Sequence, residues 1–526
     1  MSRMSAGVAG SAPVALVTAL LANVPLVYIF VRATEAGFAR YAEVVFSAQT
    51  VALAWRSILL VLGVMGLALP VAIGLAWLVT RTDLPGRRLW AVTAALPLVF
   101  PSYVAAFAWI AVWGPKGFFQ RALAPLGVEM LPAWAYGYTG AWLVLSLFIY
   151  PYVYLLAVAA LRDADPAAEE AAASLGRGRW TVFFTAVLPQ LRPALYAGSL
   201  LIALYVLSDF GAVSIVRYNT FTLSIYNAYQ GLFDRTTAAV LAAVLVLLTL
   251  ALIAVEGRLA SRLRPSRRRP VRPHRRIPLG RWRAPAVAGV VMLAGLNLLT
   301  PLGVVVQWAA RALAVGNPVG AAVDAAVRSL GVAGLAAAVS VGLSLPVSIW
   351  AVRGGGKLAD WTMRASYSGY ALPGLVIALS LVFLATRLTP ALYQSATLLV
   401  AAYVVRFLPQ AISASAASLR SLAPGFEEAA RSLGASSGKA LRTVTLPLIR
   451  PGLLAGGGLV FLTTMKELPA TLILRPTGFD TLATRVWTAA SEGIYSQAAL
   501  PSVILVLASV LPVYLLIVRP ALAERS

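Results

Sequence analysis

Long, uninterrupted runs of apolar residues recur along the whole chain, and they restrict its fold more than any other feature. About twenty such residues cross the hydrocarbon core of a membrane as an α-helix. Runs of this length lie at 13–32, 55–79, 90–113, 138–160, 194–214 and 236–256, and again at 284–307, 327–352, 365–386, 394–416, 452–473 and 498–518. Because the runs are continuous rather than alternating, a β-barrel is disfavoured. The sequence therefore predicts an all-α integral membrane protein with about twelve transmembrane helices.

The charge of the chain agrees with a membrane protein. Only 12% of the residues are charged, which is about half the fraction found in soluble domains. The net charge of +24 is typical of nucleic-acid binding, but in membrane proteins Lys and Arg collect in cytoplasmic loops. We therefore expect membrane lipid, and no nucleic acid, as the partner of these charges. The chain has no cysteine and a single histidine, His274, so we expect no stable metal site.

One polar stretch occurs twice in this otherwise apolar chain. Residues 169–195 read EEAAASLGRGRWTVFFTAVLPQLRPAL, and residues 427–453 read EEAARSLGASSGKALRTVTLPLIRPGL, without a gap. The copies are 427 − 169 = 258 residues apart, which is about half the chain length. Such a repeat indicates duplication. We expect two homologous six-helix halves, residues 1–257 and 284–526, joined by a basic linker at 258–283.

A second offset indicates where the halves differ in length. Ser57 and Ser329 are 272 residues apart, and so are Pro101 and Pro373. Because the offset falls to 258 at the repeated stretch, the first half carries a net insertion between these points. The loop that contains Trp113 is the expected site of this insertion.

Basic residues predict the orientation of the chain. They occur at 81–88, in the first repeated stretch, in the linker at 258–283, at 353–357 and in the second repeated stretch. All these loops lie on one side if the chain crosses the membrane at each apolar run, and the positive-inside rule makes that side the cytoplasm. We expect a multi-pass protein of the bacterial inner membrane with both termini in the cytoplasm.

Each repeated stretch is predicted to form two short helices at the membrane surface. Glu, Ala and Leu favour a first helix, which Gly176 or Gly434 ends in the way that glycine commonly does. A second helix is expected to run to Pro189 or Pro447, where proline breaks it and begins the next membrane span. An ordinary surface loop does not explain why both copies retain E-E-A-A-x-S-L-G, whereas a partner that binds twice does.

The pattern E-E-A-A-x-S-L-G, followed after some dozen residues by L-P-x-x-x-P, resembles the cytoplasmic loop of permease subunits of bacterial ABC importers. The resemblance implies two copies of an ATPase subunit, one on each loop, and a periplasmic or lipid-anchored solute-binding protein. The implied ATPase-docking residues are Glu169, Glu170, Ala171, Ala172, Ser174, Leu175, Gly176 and Pro189 in the first copy, and Glu427, Glu428, Ala429, Ala430, Ser432, Leu433, Gly434 and Pro447 in the second. The sequence contains no G-x-x-x-x-G-K-[ST] motif, so we expect ATP on the partner, no cofactor on this chain and no enzymatic activity of its own.

Two further segments are similar to fused permeases of ferric-iron importers. These segments, S-D-F-G and K-E-L-P-A-T, contain Asp209 and Glu467, which are also 258 residues apart. Hard oxygen donors suit ferric iron, so both carboxylates are candidates for a substrate pathway. Alternatively they are structural, with Glu467 paired to Lys466 or Arg475 and Asp209 to Arg217. Import of thiamine or an organophosphonate by the same machinery also remains open.

Two other classes of protein fit the sequence less well. An ion-coupled secondary transporter has a similar number of spans, but it is expected to carry charged residues well inside several of them. Here the spans look nearly free of charge apart from Asp209 and the 466–467 pair. A membrane enzyme is disfavoured because the sequence offers no constellation of catalytic side chains.

Overall fold

The chain folds almost entirely into helices. The computed structural model describes residues 6–35, 37–126, 133–261, 276–316, 318–423 and 425–515. Within these ranges no strand forms, and one isolated bridge pairs Thr82 with Ile277. Ten helices there are long and apolar enough to cross a membrane, and two bent helix pairs raise the number to twelve if each pair is one span. The predicted all-α membrane fold is thereby confirmed. Most of the linker, including His274, lies outside the described residues.

The helices of the first half follow the predicted spans closely. They are α1 (Ala6–Thr34), α2 (Phe38–Val45), α3 (Ala48–Arg81), α4 (Arg87–Thr93), α5 (Ser102–Trp113), α6 (Phe118–Leu123), α7 (Gly137–Asp163), α8 (Pro166–Ser174), α9 (Arg179–Val182), α10 (Leu188–Ser208), α11 (Gly211–Ile215), α12 (Phe221–Tyr226) and α13 (Arg235–Ser261). The extra helix α6 lies between α5 and α7, in the region where the sequence predicted an insertion.

The second half repeats this order. Its helices are α14 (Arg283–Ala294), α15 (Thr300–Ala314), α16 (Gly320–Ile349), α17 (Gly356–Ser366), α18 (Ser368–Ala371), α19 (Gly374–Leu388), α20 (Ala396–Ser421), α21 (Gly425–Ser432), α22 (Ser437–Ala440), α23 (Leu446–Met465), α24 (Pro469–Leu474), α25 (Leu482–Ser491) and α26 (Tyr495–Val513). A π-helical turn joins α14 to α15, so the two form one long span.

The predicted spans at 90–113 and 365–386 are not single straight helices. Each is a pair of helical segments, bent by 98° in the first half and by 102° in the second. The bends lie at Pro101 and Pro373, and the preceding residues Phe100 and Leu372 are extended, with ψ of 127° and 120°. Proline disfavours the helical conformation of the residue before it, which accounts for both breaks.

Two predicted span ends also need correction. The runs at 194–214 and 452–473 were expected to be single helices, but α10 ends at Ser208 and α23 ends at Met465. The remaining residues form the short helices α11 and α24, which pack against α5 and α19 just after the proline breaks. Each half thus places a short helix against its own broken span.

The prediction that Pro189 and Pro447 end the second short helix of each repeated stretch is wrong. A π-helical turn follows α9 and another follows α22, and the helix continues through the turn into α10 or α23. Each proline lies in the first turn of the α-helix that follows the π-helical turn. The surface helix and the membrane span are therefore continuous.

The first span of each half contacts both halves. Within each half the second, fourth and fifth spans pack together: α3, α7 and α10 in the first half, and α16, α20 and α23 in the second. The first span α1 packs on α13 of its own half and also on α16, α17 and α19 of the second half, and α15 packs on α26 of its own half and also on α5 of the first. Asn23 of α1 donates a hydrogen bond to the Ala365 carbonyl at 2.9 Å, and Asn297 donates to the Tyr150 hydroxyl at 3.2 Å. The halves are therefore joined by packing as well as by the chain.

Candidate functional site

The repeated stretches form two matched surface features, which we call docking loops 1 (residues 166–189) and 2 (residues 425–447). Gly176 and Gly434 follow α8 and α21 with φ of +73° and +87°, as predicted for glycines that end a helix. The leucines just before them, Leu175 and Leu433, are 78% and 88% exposed. Large apolar side chains this exposed on a loop are typical of a surface that binds a partner.

Burial follows the same pattern in both docking loops except at the proline, which is half-buried in loop 1 and exposed in loop 2. Most of the predicted docking residues are exposed, namely Glu170, Ala171, Ser174, Leu175 and Gly176 in loop 1 and Glu428, Ala429, Ser432, Leu433, Gly434 and Pro447 in loop 2. Glu169, Ala172, Pro189, Glu427 and Ala430 are half-buried. The first glutamate of each pair thus turns toward the protein, and the second turns away from it.

Glu169 forms an ion pair with its own half of the chain. Arg81, the last residue of α3, places Nη2 3.1 Å from Glu169 Oε1, and the same nitrogen donates to the Leu161 carbonyl at 2.9 Å. The Arg81 side chain is only 3% exposed. Burial raises the pKa of Glu169, and the Arg81 guanidinium opposes that shift. One arginine therefore connects the ends of α3 and α7 to the start of docking loop 1.

Docking loop 2 repeats this arrangement. Arg353 Nη2 lies 3.7 Å from Glu427 Oε1 and donates to the Leu422 carbonyl at 3.0 Å. Glu427 Oε1 also accepts a hydrogen bond from Thr445 Oγ1 at 3.0 Å. We call each arginine–glutamate pair a latch. From sequence alone, Arg81 and Arg353 are predicted only to set orientation, although their separation of 353 − 81 = 272 residues is the offset of the other early repeats.

Asp209 caps a short helix. It is buried between α10 and α11, and its Oδ1 accepts hydrogen bonds from the backbone N–H of Ala212 at 2.9 Å and of Val213 at 3.3 Å. Carboxylates are favourable acceptors at helix N-termini because they satisfy N–H groups that have no partner within the helix. Asp209 thus holds α11 at the break in the first half.

Glu467 occupies the matching place in the second half. Its Oε1 accepts from the Ala470 N–H at 3.1 Å, at the start of α24, and lies 3.3 Å from Arg406 Nη1. Gly374, the first residue of α19, lies so close to this pair that a side chain there would collide with both Arg406 and Glu467. A side chain at this position would therefore displace the guanidinium or the carboxylate of the ion pair.

The structural partners predicted for the two carboxylates are wrong. Lys466 Nζ donates to the Leu98 carbonyl of the first half at 2.5 Å, Arg475 pairs with Asp480, and the Arg217 guanidinium lies over an aromatic ring. The sequence did not predict Arg406 as the partner of Glu467, because Arg406 lies within the apolar run at 394–416, which is nearly free of charge. A charged residue inside a span is itself a signal for a buried partner. That the two carboxylates contact a cation stays a prediction.

Comparison with known proteins decides the family. The family described as the binding-protein-dependent transport system inner membrane component matches residues 66–265 and 342–519, and each segment contains one docking loop. The chain belongs to this family. It is therefore a permease subunit of an ABC importer, a transport component that crosses the inner membrane several times.

Individual members of this family resemble the chain to different extents. The ferric-iron, Fe(3+), transport system permease protein FbpB 2 of Haemophilus influenzae is 34% identical over 503 residues, which cover 94% of each chain. The sulfate transport system permease protein CysT of Escherichia coli is 30% identical over 260 residues, covering 47% of this chain and 90% of CysT. The molybdenum transport system permease protein ModB of Escherichia coli is 35% identical over 163 residues, covering 30% of this chain and 69% of ModB.

Proposed function

We propose that this permease imports ferric iron, with both halves of one chain forming the translocation pathway. The observation that carries the proposal is the similarity to a ferric-iron permease across 94% of both chains, because the similarity to the sulfate and molybdenum permeases covers at most 47% of this chain. The segments that contain Asp209 and Glu467 resemble ferric-iron importers as well. Ferric iron is the cargo here, and the energy comes from ATP on a separate subunit.

The substrate is tested by uptake in cells. The chain is expressed with the binding protein and ATPase encoded beside it, in a host that lacks its own ferric-iron importers, and accumulation of radioactive iron is measured. We expect ATP-dependent iron uptake, with no uptake of sulfate, molybdate, thiamine or a phosphonate. Uptake of one of these solutes without iron uptake would contradict the proposal. Uptake driven by an ion gradient after removal of the ATPase would instead favour a secondary transporter.

The docking loops support binding of two ATPase subunits, one at each loop. Their exposed apolar residues, Leu175, Trp180 and Phe184 on loop 1 and Phe426 and Leu433 on loop 2, provide the surface for contact. The latches fix Glu169 and Glu427, which leaves Glu170 and Glu428 to face the partner. Co-purification should give two ATPase subunits for each permease chain, and a ratio of one would contradict the use of both loops.

The alternation of basic and weakly charged loops supports cytoplasmic docking loops and cytoplasmic termini. The solute-binding protein, periplasmic or lipid-anchored, then binds the opposite face. Accessibility tags test this orientation. Tags at Arg269, which lies outside the described residues, and at Ala435 should report the cytoplasm, and a tag at Gly316 should report the outside. A tag at Arg269 that is labelled from outside would overturn the arrangement.

Asp209 and Glu467 are proposed to act on the pathway through the helices that they cap. In support of this role, each accepts a backbone N–H at the start of a short helix beside a broken span. Asp209→Asn combined with Glu467→Gln retains acceptor oxygens and removes both charges. For capping residues we expect lower protein abundance and partial uptake. Normal abundance with complete loss of iron uptake would instead identify the two carboxylates as direct cation ligands.

A further inference from the structure

A cavity of about 480 Å³ opens between the halves on the face opposite the docking loops. Its walls come from residues 229–235 of the first half and from residues 393–394 and 472–480 of the second. The helices α13 and α20, which begin beside these segments, run from this face back to the side of the docking loops. The cavity therefore lies where a solute enters from the side of the binding protein.

The backbone of the cavity wall is strained. Four described residues other than glycine have a positive φ, and two of them, Phe233 at +55° and Gln394 at +54°, line this cavity. A positive φ strains the backbone of such residues, and this strain often marks binding sites and other functional regions. Phe233 is also 80% exposed despite its large apolar ring. Strained residues from both halves therefore line one cavity, which indicates that a ligand or partner binds there.

The charges of the wall favour an anion. Arg235, Arg475 and Asp480 line the cavity, so basic groups exceed acidic groups by one. Asp480 is already paired with Arg475, and its other oxygen lies 3.7 Å from Arg485. The carboxylate is therefore held by guanidinium groups. A bare trivalent cation is repelled by such a wall, whereas carboxylate and other oxyanion groups match the geometry of guanidinium groups.

The neutral groups of the wall complete a site for an oxygen-rich ligand. Tyr229 and Tyr393 supply hydroxyl groups, Gln230 and Gln394 supply amides, and Thr477 supplies a further hydroxyl. The Thr477 hydroxyl donates to Gln394 Oε1 at 3.3 Å, and the amide N–H groups of Gln230 and Gln394 can donate hydrogen bonds to ligand oxygens. Because the donors come from both halves, a ligand of this kind contacts both sides of the entrance at once.

The residues farther along the second half continue this charge pattern. The helix α24, which contributes Leu472 and Ile473 to the cavity, follows directly after Lys466 and Glu467. Glu467 is paired with Arg406, while Lys466 Nζ reaches the Leu98 carbonyl across the interface of the halves. The carboxylate is again balanced by arginine, and an ammonium group lies at the interface. The inner end of α24 therefore offers no excess of negative charge to a cation.

We propose that the cavity receives the solute as an anionic, oxygen-rich complex, so that ferric iron enters with bound carboxylate ligands and not as a bare cation. This inference rests on the proposed ferric-iron function for the identity of the metal. The assignment of an anion site rests only on the wall of the cavity.

The test changes the charge of the wall at Arg235, which is exposed at the start of α13. Initial rates of iron uptake are measured with ferric citrate for the whole importer carrying wild-type chain, Arg235→Lys, Arg235→Gln or Arg235→Glu, each normalised to the amount of permease in the membrane. We expect Arg235→Lys to retain most of the rate and Arg235→Glu to lower it about tenfold, because reversal replaces attraction of the anion by repulsion. Arg311→Glu is the matched control, since Arg311 is exposed at the end of α15, outside the cavity wall, and should keep the normal rate.

Direct binding makes the test independent of turnover. The complete chain in lipid nanodiscs is incubated with ferric citrate in which iron and citrate carry different radiolabels, and with radioactive sulfate as a free oxyanion. We expect iron and citrate to be retained together and Arg235→Glu to release both. Retention of iron without citrate, or an Arg235→Glu variant that binds and transports iron as well as the wild type, would overturn the proposal. If sulfate is retained at Arg235 and the importer takes up no iron, the anion site stands and the ferric-iron function fails.

Discussion

The two latches predict how firmly each docking loop is held. Replacing Glu169 by Gln preserves the shape of the side chain but leaves the buried Arg81 without a counter-charge. Loss of one partner from a fully buried ion pair costs about 3–5 kcal/mol, and loss of an exposed pair costs about 0–1 kcal/mol. Arg81 and Glu169 are 3% and 18% exposed, and Arg81 keeps the Leu161 carbonyl, so we expect about 2 kcal/mol.

The second latch should be weaker. Arg353 and Glu427 are 15% and 29% exposed and 3.7 Å apart, so Glu427→Gln should cost about 1 kcal/mol. Hydrogen exchange of the backbone amides in α8 and α21 measures both effects in one sample. At about 1.4 kcal/mol for each factor of ten, Glu169→Gln should speed exchange in α8 roughly 30-fold, and Glu427→Gln should speed exchange in α21 roughly fivefold.

Each docking loop serves as the control for the other. Glu169→Gln should leave α21 unchanged, and Glu427→Gln should leave α8 unchanged, because each latch contacts only its own half. Glu170→Gln provides a further control, since this neighbouring glutamate is exposed. Unchanged exchange in α8 after Glu169→Gln, or equal acceleration in both loops, would refute the reasoning.

Three further predictions concern other parts of the molecule. Leu433→Asp places a charge on the exposed surface of docking loop 2 and should reduce the co-purified ATPase from two subunits toward one, as measured by quantitative gel analysis. Gly374→Ala should lower the melting temperature, because overpacking there should reduce the free energy of unfolding by about 1–3 kcal/mol. Gly303→Ala should not lower it, because Gly303 faces open space. A hydrogen bond from Arg32 and a smaller contribution from Arg387 lower the pKa of Glu35. The wild type should therefore be more thermally stable than Glu35→Gln at neutral pH. This difference should vanish as the pH falls below 4.5, the ordinary pKa of a glutamate.

The membrane spans could be predicted well because lipid leaves few alternatives. Each backbone group in the hydrocarbon core must be paired, so a long apolar run becomes a helix. The breaks at Pro101 and Pro373 could not be read from hydropathy, since the residues on both sides of each proline are apolar whether the span is straight or bent. Their common offset of 272 residues was the available signal that both prolines have one structural role.

The candidate sites also differ in how far the sequence could predict them. The docking loops were visible because duplication left two copies of one pattern in an apolar chain. The partners of the buried charges were not, because Arg406 and Glu467 are 61 residues apart and meet only when α20 packs beside α24. The cavity could not be predicted from the sequence either, because its walls come from three separate segments. Sequence identifies which charges are unusual, and the packing of the helices selects their partners.

The packing of the first spans against both halves has a consequence for assembly. Helices α1 and α15 each contact the opposite half as well as their own, so part of the surface of each first span is covered only when the two halves meet. A single polypeptide guarantees that each half meets the unlike half and never a second copy of the same one. The distinction matters because the position that matches Arg406, at 406 − 258 = 148, holds Phe148. Two first halves would lack this arginine and two second halves would bring two copies of Lys466 to the centre, so fusion preserves an asymmetric passage with fixed stoichiometry.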